Sequence, residues 1–161
     1  LTTSDEKSFE VSLDVIKQSI TVNTLVTDLG MNEEGSNMSV PIPLPNVTAD
    51  ILELVIEWCE YHKNDAPVPE KPVEEENKFD DKKDTTIPEW DSKFLLKPHR
   101  AVLFHIAIAA NYLAIKVLLD YCCKTIANMI KGKTPEQIRH VFGIECDFTP
   151  EELEAIKKDN A

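Results

Sequence analysis

The chain has 161 residues, which is the length of one domain or of one domain with a small appendage. Its 17 lysine and arginine residues against 29 aspartate and glutamate residues give a formal charge of −12. A protein this acidic repels nucleic-acid backbones and anionic membranes, so we expect neither as a general partner. The longest uncharged apolar run, residues 101–113, is shorter than the roughly 20 residues that cross a bilayer.

The start of the sequence and the pattern of cysteines indicate the cellular compartment in which we expect the protein. No basic and then apolar leader opens the sequence, so we expect a protein that is not secreted. The four cysteines, Cys59, Cys122, Cys123 and Cys146, show no C-x-x-C spacing. This usage fits a reducing setting, cytoplasmic and nuclear, in which we expect the thiols to be small buried apolar groups.

The first 45 residues predict a hairpin, two short helices and an extended segment. Polar residues 4–7 form a turn, and the alternation that follows, with Phe9 and Val11 apolar, is typical of a half-buried strand. Residues 14–29 have apolar side chains every three or four positions, and Gly30 is a helix stop. Alternate prolines in residues 40–45 remove ladder donors, which favours an edge strand or an extended segment.

The middle of the chain predicts a buried helix followed by an acidic insert. Thr48 is the expected N-cap of a helix whose residues 51–59 are apolar on more than one face. Residues 64–87 contain eight acidic residues, four lysines and three prolines. Burial there cannot offset the entropy of ordering, so we predict a disordered acidic loop. An acidic docking strip remains the alternative.

Two further helices are expected after Pro88 and Trp90 restart regular structure. Pro98 suits the first turn of a helix that is apolar almost all round, which places this helix at the centre of the domain. The next helix is predicted over residues 115–131 and stops at Gly132.

The last thirty residues contain two matched helix starts. Thr134 with Gln137, and Thr149 with Glu152, each form a capping box with proline at the first helical position. Both helices are too short to be stable alone in water. Their apolar residues therefore need a surface to pack against: Ile138, Val141, Phe142, Ile144, Phe148, Leu153 and Ile156.

Motifs for chemistry are scarce. The four glycines allow no phosphate-binding loop. Cys59 and His62 share a helical face, but no second ligand pair completes a zinc site, so we interpret them as a buried cysteine beside a surface histidine. His105 is interpreted as a peripheral or hydrogen-bonded histidine. No motif frames a cysteine nucleophile, so a thiol-dependent enzyme remains only an alternative. We expect no metal, no cofactor and no catalysis, and the pattern indicates an interaction module.

Six strings closely resemble one family, that of S-phase-kinase-associated protein one, the adaptors of SCF (Skp–cullin–F-box) ubiquitin ligases. They cover nearly the whole chain, and together they are more specific than any periodicity. The strings are VPIPLPNV at 40–47, VIEWC at 55–59, IPEWD at 87–91, AANYLxIKxLLD at 109–120, where x marks positions that do not match, ANMIKGKTPE at 127–136 and DFTPEE at 147–152.

The resemblance implies an α/β (α+β) fold: a BTB/POZ-type domain over residues 1–131, with the acidic loop at 64–87, and a two-helix F-box-binding extension over 132–161. It implies a non-catalytic adaptor that bridges a cullin scaffold to F-box substrate receptors. The cullin would bind Asn111, Tyr112 and the segment around Pro43. F-box proteins would bind Leu103, Ile108, Leu119, Ile126, Ile130, Phe142, Ile144 and Phe148.

The chain departs from the family pattern at several positions. The family commonly has an acidic residue at Ala114, a glycine at Val117 and a glutamate at His105. These changes lie in the helices expected to meet both partners, which suggests an altered partner preference. The alternative function is a BTB-type self-associating scaffold in a non-ligase complex, with a weak homodimer when no partner is bound.

Overall fold

The computed structural model describes residues 1–30, 41–65 and 86–159. The chain divides into two compact units, Leu1–Ile126 and Ala127–Ala161. Helices dominate both, and a short two-stranded sheet belongs to the first unit. A membrane-crossing helix does not occur in the described ranges, whose helices are too short or too polar for one.

The sheet pairs the start of the chain with the proline-rich segment. Strand β1 (Thr2–Thr3) runs parallel to β2 (Pro43–Leu44). The N–H of Thr2 donates to the carbonyl of Ile42 at 2.8 Å. The alternate prolines therefore tolerate pairing along one edge only, as the sequence predicted for an edge strand.

The predicted N-terminal hairpin is only partly present. Leu1 and Phe9 exchange two hydrogen bonds of 2.8 Å, and Thr2 bridges Ser8 in antiparallel fashion. The turn is therefore confirmed, but the half-buried strand expected through Phe9 and Val11 is wrong. Because β1 has two residues and pairs with β2, the second arm has a single bridge and does not continue as a strand.

The two short helices are confirmed as α1 (Leu13–Ile16) and α2 (Ile20–Asp28). Ser19 begins α2, and its hydroxyl accepts the N–H of Val22 at 3.2 Å. Gly30 takes a φ of +65°, the left-handed conformation that ends helices and favours glycine.

Helix α3 (Ala49–Tyr61) is the buried helix expected after Thr48. Thr48 occupies the N-cap position, but its side chain makes no capping bond. The cap comes from Asp5, whose carboxylate accepts the N–H of Ala49 at 2.9 Å. One face of α3 is fully buried, through Leu52, Val55, Trp58 and Cys59.

The predicted acidic loop at 64–87 lies outside the described residues, apart from its ends at residues 64–65 and 86–87. The next described helices are α4 (Glu89–Leu96) and α5 (Arg100–Tyr112). Pro98 stands two residues before α5, so its expected place in the first turn is wrong. His99 is the N-cap, and its ring accepts the N–H of Ala101 at 3.3 Å.

Helix α5 packs against α3 and α4, but Phe104 and Ile108 are 38% and 59% exposed, so only one face of the helix lies in the core and the expected central position is wrong for the other face. Its buried side chains are Leu103, Ile106, Ala109 and Ala110. It is followed by α6 (Lys116–Ile130), which ends two residues before Gly132, as predicted. The division between the two units falls within α6.

Two of the four cysteines are buried, whereas the sequence predicted burial of all four. Cys59 and Cys122 are buried, and burial raises the pKa of each thiol to about 12. Cys123 and Cys146 are exposed, so the expectation is wrong for these two. Consecutive residues of a helix point about 100° apart, and in α6 the buried side is that of Leu118, Cys122 and Thr125, which leaves Cys123 on the exposed side.

The second unit contains α7 (Pro135–Phe142) and α8 (Pro150–Asp159). Both predicted capping boxes are confirmed. Thr134 and Gln137 exchange bonds of 3.0 and 3.3 Å, and Thr149 and Glu152 exchange bonds of 2.8 and 3.3 Å. None of the described side chains of this unit is buried.

Candidate partner-binding surfaces

The last turn of α5 carries the two residues predicted to bind a cullin. Asn111 is exposed and Tyr112 is half-buried. The carbonyl of Tyr112 accepts the hydroxyl of Thr21 at 3.1 Å, and that of Leu113 accepts the hydroxyl of Ser19 at 2.6 Å. These bonds fix the end of α5 to the start of α2, so the Asn111 side chain stands on a rigid corner.

The chain leaves this corner through a Schellman turn. The N–H of Ile115 donates to Ala110 at 2.8 Å, and that of Ala114 donates to Asn111 at 3.1 Å. Ala114 takes a φ of +53°, the position at which glycine is usual. The turn therefore carries backbone strain beside the predicted cullin residues.

Pro43, the third predicted cullin residue, lies in β2. It is exposed, while Ile42 and Leu44 on either side are buried. The structure thus presents Pro43 to solvent on an element separate from the α5 corner, where Asn111 and Tyr112 are adjacent.

The residues predicted to bind F-box proteins differ in exposure within the first unit. Ile108 is 59% exposed on α5. Leu119 and Ile126 are half-buried on α6, seven residues apart and therefore on one helical face. Leu103 is completely buried, so its side chain packs in the core and offers no surface in the structure.

The second unit carries the other four predicted residues. Ile130 is 38% exposed at the end of α6, and Phe142 is half-buried at the end of α7. Ile144 and Phe148, in the segment between α7 and α8, are 58% and 45% exposed. A helical unit with large exposed apolar side chains and no buried described one has the character of an unfinished core.

Charged side chains of the second unit lie near Phe148 and at the start of α8. The guanidinium of Arg139 lies 6.0 Å from the ring centroid of Phe148, a cation–π distance. Bonds from the backbone and hydroxyl of Thr149 hold the pKa of Glu152 below its usual value. An open cleft of about 610 Å³ lies along α7, and its lining includes Lys133, Gln137 and His140.

Sequence reasoning missed exposed apolar side chains on α2. Leu25 and Leu29 are four residues apart on one face, and Leu29 is more than half exposed. The signal was present, since their spacing is helical, but the apolar periodicity of residues 14–29 does not distinguish a core-facing side chain from an exposed one.

The interpretation of His62 as a surface histidine is wrong. His62 is 8% exposed and bonds two carboxylates, those of Asp65 and Asp91. Its burial depends on a partner on α4, 29 residues later, which the C-x-x-H spacing could not reveal. The described residues contain no group of three or more His, Cys, Asp or Glu side chains arranged to hold a metal ion.

Two domain models of one protein family match the two ends of the chain. Residues 1–64 match the family model described as the Skp1 family tetramerisation domain, and residues 116–161 match the Skp1 family dimerisation domain. The first of these identifies the N-terminal unit as a BTB/POZ-type α+β domain, here mostly helical with a small sheet and followed by C-terminal helices.

Relatives match along the entire length. The chain is 49% identical over 161 residues to a Skp1-related protein of Caenorhabditis elegans, which is all of this chain and 88% of that protein. It is 47% identical over 160 residues to the suppressor of kinetochore protein 1 of Schizosaccharomyces pombe, covering 99% of the chain and 93% of the relative. It is 46% identical over 160 residues to the E3 ubiquitin ligase complex SCF subunit sconC of Talaromyces stipitatus, covering 99% and 92%. By both domain matches and full-length identity, the chain belongs to the Skp1 family.

Proposed function

We propose that this chain is the non-catalytic adaptor of an SCF ubiquitin ligase and bridges a cullin scaffold to F-box substrate receptors. Membership of the Skp1 family, and the name of the Talaromyces stipitatus relative as an SCF subunit, support this complex. The observation that carries the adaptor role is the apolar exposure of the second unit, where Ile144 and Phe148 are large and solvent-exposed.

The F-box side of the proposal rests on the energetics of short helices. Helix α7 has eight residues and α8 has ten, which is below the length that is stable alone in water. Their capping boxes fix where each helix starts, but caps contribute only about 1 kcal/mol each. A partner that covers the exposed apolar side chains supplies the burial that the unit lacks, in the manner of an amphipathic helix laid against an apolar groove.

The cullin side of the proposal rests on rigidity. Asn111 projects from a helix end that is held by hydroxyls from Ser19 and Thr21, so little ordering entropy is lost when a partner docks there. Pro43, without an N–H and with a fixed φ, presents a similarly preorganised surface.

Phe148 tests the F-box site most sharply. In the full chain, Phe148→Ala should weaken binding of a purified F-box domain by about 30-fold, since a buried aromatic anchor contributes about 2 kcal/mol or more. Leu96→Ala is the matched control, because Leu96 is 55% exposed on α4 and lies in neither predicted partner site. Calorimetric titration of both variants gives the comparison. Equal affinities for the two variants would remove Phe148 from the interface.

Asn111 tests the cullin site. Asn111→Lys changes an exposed side chain, so it should leave the fold and F-box binding intact while abolishing co-purification with a cullin N-terminal domain. Adding Tyr112→Lys should strengthen the loss of cullin binding. Because Tyr112 is half-buried, Asn111→Lys alone is the cleaner test. If cullin binding survives Asn111→Lys at wild-type affinity, the α5 corner is not the cullin site.

We further propose a cytoplasmic and nuclear location, which rests on the cysteine pattern in the sequence. Fluorescence microscopy of the tagged chain tests it, and exclusive accumulation in the secretory pathway would contradict it.

Self-association is a second candidate function. The descriptions of both matching family models, tetramerisation and dimerisation, favour it. Sedimentation equilibrium of the chain with and without an F-box domain distinguishes the adaptor from the self-associating scaffold. A self-associating scaffold remains oligomeric when the F-box domain is added, whereas an adaptor forms a 1:1 complex.

A further inference from the structure

A buried polar cluster lies at the C-terminal end of α3, apart from the residues predicted to bind partners. His62 caps α3 and is 8% exposed, and Asp91, in the first turn of α4, is completely buried. The Nε2 atom of His62 lies 3.0 Å from Oδ1 of Asp91, and Nδ1 is hydrogen-bonded to Oδ2 of Asp65. The indole N–H of Trp58 donates to the same Oδ1 of Asp91 at 2.7 Å.

Counting protons decides the charge of this cluster. A neutral imidazole carries one N–H, and an ionised carboxylate only accepts hydrogen bonds. Both ring nitrogens of His62 face carboxylate oxygens, so two protons are required where a neutral ring and two carboxylates supply one. We propose that His62 is held as an imidazolium between Asp65 and Asp91, and that this proton-dependent clamp joins the C-terminal end of α3 to α4.

The second proton belongs on the ring rather than on a carboxyl group. The side chain of Asp65 is 62% exposed, so its carboxylate is hydrated. Asp91 accepts a further N–H from Trp58, and a hydrogen bond donated to a carboxylate favours the ionised form. With both acids ionised, the cluster has a net charge of −1.

Groups from every neighbouring element face the cluster. From α3, Tyr61 meets the His62 ring edge-on at 5.0 Å, and from α4, Trp90 does so at 5.9 Å. Ahead of α2, the Gln18 amide donates to the His62 carbonyl at 3.0 Å. From α6, Tyr121 lies within the electrostatic influence of the Asp91 and Asp65 carboxylates.

The phenol on α6 reports the sign of the local charge. Burial raises the pKa of Tyr121, and the negative charges of Asp91, Asp120 and Asp65 raise it further, while Lys124 lowers it. Burial, the largest cause, disfavours any charged form, whereas the part of the shift that comes from the carboxylates reflects a negative field, and such a field favours a cation at His62. The Oδ2 atom of Asp91 has no hydrogen-bond partner among the described residues, so the nearby cation also offsets the cost of burying this carboxylate.

Imidazole nitrogen NMR of the full chain tests the assignment. The other three histidines, His99, His105 and His140, are exposed and serve as internal controls. A free histidine, with its pKa near 6.5, carries one N–H at pH 8, whereas we expect His62 to show two. Signals are assigned with His→Gln variants at each position. A His62 ring with a single N–H at pH 8 overturns the proposal.

Stability against pH gives an independent measurement. If the folded chain keeps a proton that the unfolded chain has lost, stability falls as pH rises, with the unfolding equilibrium shifting by up to tenfold per pH unit. We expect the slope between pH 7 and 8 in His62→Gln to differ by this one proton from that of the wild type and of His105→Gln, since contributions common to all three, such as that of the Leu1 amino group with its lowered pKa, cancel in the comparison. An unchanged slope in His62→Gln contradicts the clamp.

A second variant keeps the test decisive if His62→Gln does not fold. Asp91→Asn retains an oxygen that can accept the Trp58 N–H but removes the charge opposite the ring. We expect His62 in this variant to show one N–H at pH 8. Retention of two protons would mean that Asp91 does not hold the ring in its charged form.

Discussion

Ala114 occupies a conformation that favours glycine, so Ala114→Gly should stabilise the protein. Its φ is +53°, and the left-handed region costs an L-residue with a side chain about 1–2 kcal/mol. The extra freedom of glycine in the unfolded chain offsets about 0.5–1 kcal/mol of that. The midpoints of these two ranges give a net gain of about 0.75 kcal/mol. For a chain of this length that corresponds to a rise of about 1–4 °C in Tm.

Denaturant unfolding followed by circular dichroism measures this change, with Ala107→Gly as the matched control. Ala107 lies within α5, where glycine costs about 1 kcal/mol relative to alanine. The same chemical substitution should therefore act in opposite directions seven residues apart. Destabilisation by both variants would refute the argument that the Schellman turn after α5 is strained.

Two further predictions follow from the ionisable groups. Hydrogen bonds from the Thr3 side chain and the N–H of Ala49 hold the pKa of Asp5 below its usual value. The stability that the cap of α3 contributes is therefore present at neutral pH and is lost as pH falls through that lowered value. Asp5→Asn should flatten the acid unfolding curve below pH 4, and a curve that superimposes on that of the wild type would contradict the cap. At pH 7.5 a thiol reagent should label the exposed Cys123 and Cys146 in the native chain. The buried Cys59 and Cys122, whose pKa burial raises to about 12, should react only after unfolding. Mass spectrometry locates the labels, and equal labelling of all four thiols would contradict the described burial.

Local rules were readable from the sequence because their partners are close along the chain. Both capping boxes join residues three positions apart, and both form as predicted. The helix stops at Gly30 and Gly132 depend on one residue each. The helical periodicity of α3 and α5 likewise identified two helices that pack against each other, each through one buried face.

Features that depend on distant residues could not be read in this way. The cap of α3 comes from Asp5, 44 positions earlier, so the local pattern identified Thr48 as the N-cap but could not identify the acceptor. The burial of His62 requires Asp91 on another helix. Leu103 was assigned to a partner surface by resemblance, whereas tertiary packing places it in the core.

Amide hydrogen exchange of the full chain, with and without a purified F-box domain, tests the adaptor proposal most directly. We predict weak protection of α7 and α8 in the free chain, because their apolar side chains remain exposed, and a large gain of protection when the F-box domain is added. Protection of both helices that is already complete in the free monomer and unchanged by the F-box domain would contradict the proposal.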